Sequence, residues 1–92
     1  MDIKPGSEIE QDEIVETQTP AKVILFNDDV HSFDDVIYQL IKAIRCDLEK
    51  AKALTFQVHN SGKAVVFGGE LAKCIQVSSI LEEIQLRTQI EY

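Results

Sequence analysis

Phe33, Val36, Ile37, Leu40, Ile41 and Ile44 recur at i, i+3, i+4, i+7, i+8 and i+11, which is the spacing of one face of an α-helix. A chain carrying that stripe has to lay something apolar against it, and this points to a layered domain. The partner stands immediately upstream. Val23 to Phe26 is a run of four apolar residues, the kind of segment that a sheet strand buries on both faces. Between strand and helix lie Asn27, Asp28 and Asp29, whose short oxygen-bearing side chains bond to their own nearby backbone and so favour turns. Ser32 precedes Asp35 by three residues, which reads as an N-cap with an acidic partner in the first turn. Asp34 and Asp35 at the start and Lys42 and Arg45 at the end have the favourable sign for the helix dipole. The spacing predicts a helix from Ser32 to about Arg45, preceded by a strand that delivers an amide and two carboxylates to one edge.

A second helix is expected to start at Asp47 as cap, with Leu48, Ala51, Leu54, Thr55 and Val58 along one face. It has to stop by the turn cluster Asn60-Ser61-Gly62. Phe56 to His59 reads alternatively as a strand with that cluster as a hairpin turn, but the apolar phase from Leu48 favours helix. Lys63 to Phe67 is a short β-rich run ending in Gly68-Gly69 and predicts a second strand. Glu70 to about Glu83 predicts a third helix, with Leu71, Ala72, Ile75, Val77, Ser78 and Leu81 as its apolar or small residues. Gln85 to Glu91 sets Leu86, Thr88 and Ile90 against Arg87 and Gln89, the alternation of a half-buried edge strand. The order β-α-α-β-α-β predicts an α+β class, a small two-layer sandwich whose three-stranded, mostly antiparallel sheet carries three helices on one face.

Ninety-two residues hold one domain, near the lower end of sizes that sustain a core without metal or disulfide help. The net charge of −7 argues against nucleic acid as a partner, because phosphate binding needs a basic face. That charge is uneven. Residues 1–20 carry six acids against Lys4, a net of −5, which leaves −2 for residues 21–92. With two prolines and no aromatic, Met1 to Pro20 is expected to be a flexible acidic arm, and residues 21–92 the folded domain. No charged-then-apolar leader opens the chain, and no apolar run approaches the roughly 18 residues of a membrane span. A soluble, cytoplasmic protein without a membrane partner is therefore expected. Cys46 and Cys74 stand apart with no ligand-spaced histidine or second cysteine, so both read as reduced thiols and no metal or cofactor is expected.

Neither of the two histidines falls in a Cys–His, Ser–His–acid or HExxH arrangement, so composition points away from an enzyme. His31, in the turn before the first helix, reads as exposed. His59, in Val58-His-Asn-Ser-Gly-Lys63, reads by itself as a surface or capping side chain. Phe33, Val36 and Val58 fall on core-facing stripes and by themselves read as core.

Val23-Ile-Leu-Phe-Asn-Asp-Asp29, the helix after it, and Val58-His59 followed by Gly62-Lys63-Ala64 together resemble, in order and spacing, the ClpS adaptor family of the Clp ATP-dependent protease. The resemblance spans roughly Ala21 to Ile90. It implies a non-enzymatic adaptor that recognises N-degron substrates, proteins with a destabilising large apolar or aromatic first residue, and hands them to a Clp AAA+ unfoldase. It further implies that Asn27, Asp28 and His59 converge on the α-ammonium, and that Phe33, Val36, Thr55, Val58 and Leu86 wall a pocket for the first side chain. An ammonium is a compact cation with three donors and calls for converging acceptors. Burying a Leu or Phe side chain then contributes about 1.5–3 kcal/mol.

Several residues depart from the family pattern. Val30-His31-Ser32 replaces the usual aromatic and Thr-Pro, Phe33 stands where Met is frequent, and Thr55 occupies a position where many members carry a Met gate. A shifted order of preference among Phe, Tyr, Trp and Leu is expected from the last two. Glu70 matches an acidic residue that docks on the N-terminal domain of the unfoldase, with Lys73 the nearest candidate for its basic companion, since Ile75 stands in the usual place. The link before Glu70 is about two residues shorter than usual. Two other readings keep the fold: a ClpS-like module that docks on the chaperone or another protein without reading free N-termini, and a small ribosome-associated or structural domain.

Overall fold

A computed structural model describes residues 19–92. The chain runs β1 (Pro20–Phe26), α1 (Phe33–Ile44), α2 (Leu48–Ser61), β2 (Lys63–Glu70), α3 (Leu71–Glu82) and β3 (Arg87–Glu91). β1 is the central strand of an antiparallel sheet in the order β2-β1-β3. Its apolar run follows from that place. Ala21, Val23 and Leu25 are buried on the face that meets all three helices, where Ile37 and Leu40 of α1, Ala51 and Val58 of α2, and Cys74, Val77 and Leu81 of α3 complete one core. Lys22 stays exposed, and Phe26 lies under the Arg87 guanidinium at 5.2 Å. The predicted class and element order are those of the molecule.

Local chemistry sets the helix ends. Ser32 Oγ accepts the Asp35 N–H at 3.1 Å, and Asp47 Oδ1 accepts that of Lys50 at 2.8 Å. Arg45 and Gly62 close α1 and α2 in left-handed geometry. Phe56 to His59 is helical, so the hairpin alternative is set aside. Leu48, expected on the apolar face, is 47% exposed at the first position of α2.

Other boundaries differ from expectation. Pro20, read with the arm, is the first residue of β1 and pairs with Glu70; residues 1–18 of the expected arm lie outside the described residues. β2 does not stop at the glycines but runs through them to Glu70, with Gly68 and Gly69 opposite Lys22 and Ala21. A Cβ at Gly69 would stand 3.2 Å from the Phe67 ring, so this glycine serves close packing rather than a turn. α3 then begins at Leu71 with no intervening loop, its first N–H bonded to the Thr19 carbonyl at 2.8 Å. Glu70 is its N-cap, without a side-chain capping bond. β3 starts at Arg87, two residues later than expected, because Gln85 is in left-handed geometry at φ 67°.

Candidate functional site

β1 ends at Phe26, and the next residue is fastened across the sheet edge: the Asn27 N–H donates to the Gly62 carbonyl at 2.9 Å. Gly62 is also the C-cap of α2, its own N–H bonded to the Val58 carbonyl. One glycine thereby joins the start of the Asn-Asp-Asp turn to the helix that bears His59. Asp28 shapes the turn, its Oδ1 accepting the Val30 N–H at 3.0 Å and the His31 N–H at 2.9 Å. Ser32 then caps α1 and brings Phe33 and, one turn on, Val36 opposite α2.

These segments enclose an open cleft of about 310 Å³ between turn, α1 and α2. Asn27, Asp28, Asp29, His31 and Ser32 line its polar end, with His59 across from them; Phe33, Val36, Thr55 and Val58 form its apolar walls. Seven of the eight residues that sequence assigned to ligand recognition therefore share this cleft. Leu86 does not. It is buried at 3% exposure, beside a small cavity of about 20 Å³ shared with Leu25, Asn27, Asp28, Val36 and Val58. It supports the cleft from behind.

Each wall has a distinct character. Phe33 is 40% exposed and meets the His59 ring edge-on at 5.1 Å and Phe56 at 5.9 Å, so an aromatic rim borders the polar end. Thr55 is buried, and its hydroxyl donates to the Ala51 carbonyl one turn back at 2.8 Å. The polar atom of this wall is thus already satisfied within the helix.

His31 corrects an expectation. Its side chain is 13% exposed, not open to solvent, with Nδ1 2.7 Å from Asp28 Oδ2 and Nε2 against the Ile84 carbonyl of the α3–β3 corner. The Ile84 carbonyl foremost, then the Asp28 carboxylate, raise its pKa above the ordinary 6.5 despite some burial. Burial acts to raise the Asp28 pKa, but the hydrogen bonds from the His31 backbone and ring and the Val30 backbone outweigh it and hold it below 3.8. Sequence reasoning missed His31, Asp29 and Ser32 as lining residues and Phe56 as part of the rim. The contact that draws His31 inward is 53 residues away in sequence, so no local pattern announces it.

Glu70 and Lys73 lie elsewhere. In the register of β1, Glu70 pairs with Pro20 while Lys63 pairs with Phe26, so at 3.3–3.4 Å per residue Glu70 is about 20 Å along the strand from the cleft end. Lys73 borders a second cleft of about 290 Å³ together with Lys42 and Arg45. Ile75 is 49% exposed on the same helix. Among the described residues no group of three His, Cys, Asp or Glu side chains could hold a metal ion, and no helix is long and apolar enough to cross a membrane.

The sequence profile of the family described as ATP-dependent Clp protease adaptor protein ClpS matches residues 16–89. The chain belongs to the ClpS family. A ClpS adapter protein of the ATP-dependent Clp protease from Vibrio atlanticus is 35% identical over 85 residues, covering 86% of this chain and 80% of its own. Human E3 ubiquitin-protein ligase UBR2 is 36% identical over 69 residues, 75% of this chain, and human UBR1 is 41% identical over 51 residues, 55% of this chain. The matched segments span only 4% and 3% of those two ligases. The solved structure of Agrobacterium tumefaciens ClpS2 bound to L-phenylalaninamide superposes with a TM-score of 0.75 at 21% identity, covering 80% of this chain and 96% of that one. At that identity the likeness concerns the fold.

Proposed function

We propose that this ClpS-family chain is a non-enzymatic adaptor that binds the free N-terminus of proteins whose first residue is large and apolar or aromatic, and delivers them to a Clp AAA+ unfoldase. The observation that carries the reading is one cleft in which acceptors and apolar walls meet, with Asn27, Asp28 and His59 at one end and Phe33, Val36, Thr55 and Val58 along the sides. An α-ammonium with an attached apolar side chain has that division of character. The Asn27 amide oxygen and a ring nitrogen of His59 accept from the ammonium, and Asp28 supplies the negative charge. Asp28 shares that task with its turn, since both oxygens already accept hydrogen bonds. The cleft volume of about 310 Å³ is at the small end of ligand sites, in keeping with one side chain rather than a long peptide. L-Phenylalaninamide, the ligand of the Agrobacterium relative, combines a free amine with an aromatic side chain. For delivery, Glu70 and Lys73 are the candidate contacts with the N-terminal domain of the unfoldase, on a surface well away from the cleft.

Fluorescence anisotropy with a labelled peptide bearing N-terminal Phe tests the recognition half. The free-amine peptide should bind the wild type, while its N-acetylated twin, which lacks the charge and two donors, and the Asp28→Ala protein should each lose binding. Equal binding of the acetylated peptide would remove the ammonium from the account. Delivery is checked separately, by binding of the chain to an isolated unfoldase N-terminal domain, which Glu70→Ala and Lys73→Ala should weaken.

A further inference from the structure

The His31 ring bridges two groups that both accept. The Ile84 carbonyl has no proton to give, and the Asp28 carboxylate accepts from two backbone N–H groups and from the ring, a pattern that favours its ionised form. An imidazole that donates through both nitrogens carries both protons and is a cation. Neither neutral tautomer keeps both contacts: with the proton on Nδ1, the Nε2 lone pair faces the Ile84 oxygen, and with the proton on Nε2, the Nδ1 lone pair faces the carboxylate. Loss of one proton therefore breaks one side of the bridge. The bridge also ties distant parts of the chain, because Asp28 belongs to the turn after β1 and Ile84 to the corner before β3.

We propose that His31 is a positioning residue that holds Asp28 in place as an imidazolium, so that the affinity of the cleft for a free N-terminus follows the protonation of His31. The proposal rests on the recognition reading above for its ligand, but not for the state of the ring. The charges around the ring are compatible with a second cation in the site. Asp28 pairs with the ring, Asp29 adds a second carboxylate to the cleft, and Asp35 in the first turn of α1 contributes further attraction. His59 stands across the cleft on α2. In the α3–β3 corner, Glu82 and Glu83 are taken up by Thr88 and Lys42, and Arg87 of β3 lies on Phe26. Two carboxylates thus face two cations once an ammonium enters, and the imidazolium keeps Asp28 from swinging out to follow the ligand.

The test has two arms on the intact chain. In the first, ¹⁵N NMR of the wild type without ligand follows the His31 ring nitrogens and the Val30 and His31 amides through pH 5.5–9. Both ring nitrogens should be protonated at the low end, and the two amides that bond Asp28 should shift together with the loss of one ring proton. A His31 ring with one bare nitrogen at pH 5.5, or amides that ignore its titration, overturns the proposal, and this arm needs neither a variant nor a ligand. In the second arm, the affinity of an N-terminal Phe peptide is measured across the same range for the wild type and for His31→Gln, which offers one donor and one acceptor. Titration of the peptide's own amine is common to both proteins and cancels in the ratio. The wild-type advantage should be about tenfold at low pH, the scale of one hydrogen bond to a charged group, and should vanish as His31 deprotonates; a constant ratio overturns the proposal. If no peptide binds at any pH, the recognition reading fails and the first arm alone decides the state of the ring.

Discussion

Under the proposed function, Thr55 is the residue at which substrate choice is tested most directly. Its hydroxyl is bonded to Ala51, so what it contributes to the cleft is small size rather than a polar contact. Thr55→Met would fill part of the space between α1 and α2 with a flexible side chain. The expected outcome is a loss of affinity for an N-terminal Trp peptide relative to a Phe peptide, read as the ratio of the two dissociation constants in wild type and variant. Identical ratios would remove Thr55 from the account of specificity. Phe33 was legible as a wall only through the resemblance, since its stripe position by itself reads as core; its 40% exposure and its ring contacts with His59 and Phe56 are tertiary facts. His31 was not legible at all, because its two partners lie on different elements.

At the scale of elements, the cleft depends on how α2 ends. Gly62 takes φ 85°, which stops the helix one turn after Val58, and its carbonyl anchors Asn27. A Cβ there would meet no atom within 4 Å, so the cost of Gly62→Ala is backbone strain alone. That strain is about 1–2 kcal/mol for a left-handed L-residue. Urea unfolding should show a lower midpoint with an unchanged slope, and binding of the Phe peptide should weaken in the same variant because Asn27 and His59 share this anchor. An unchanged affinity in a destabilised variant would separate the anchor from the site. The extents of the elements were legible where caps and periodicity agree, as in α1, whose stripe, Ser32 cap and dipole charges all point the same way. They were misread at β2, where Gly68 and Gly69 look like a turn in sequence but continue the ladder against Lys22 and Ala21.

For the whole molecule, the bridge of Asp28 and His31 makes stability depend on pH from both sides. The Asp28 pKa is held below 3.8 by its hydrogen bonds, so its contribution is present above about that value and is lost as pH falls through the folded-state value. The His31 pKa is raised above 6.5, so its contribution is complete below 6.5 and is lost as pH rises through the folded-state value. Urea midpoints between pH 2 and 9 should therefore be highest from about pH 4 to 6.5, and His31→Gln should flatten the alkaline side. A wild-type curve with no alkaline decline would contradict the bridge. By itself the sequence determined the α+β class and the element order, because helix periodicity, capping and the Asn-Asp-Asp turn are local properties of neighbouring residues, whereas most cleft residues were legible only through the resemblance to the ClpS family. Only the tertiary structure decided that β1 lies between β2 and β3, that Leu86 stands behind the cleft, and that His31 is drawn inward to bridge the turn and the α3–β3 corner. Those outcomes depend on contacts between residues far apart in the chain, whose pairing is fixed by the shared burial of three helices against one face of the sheet.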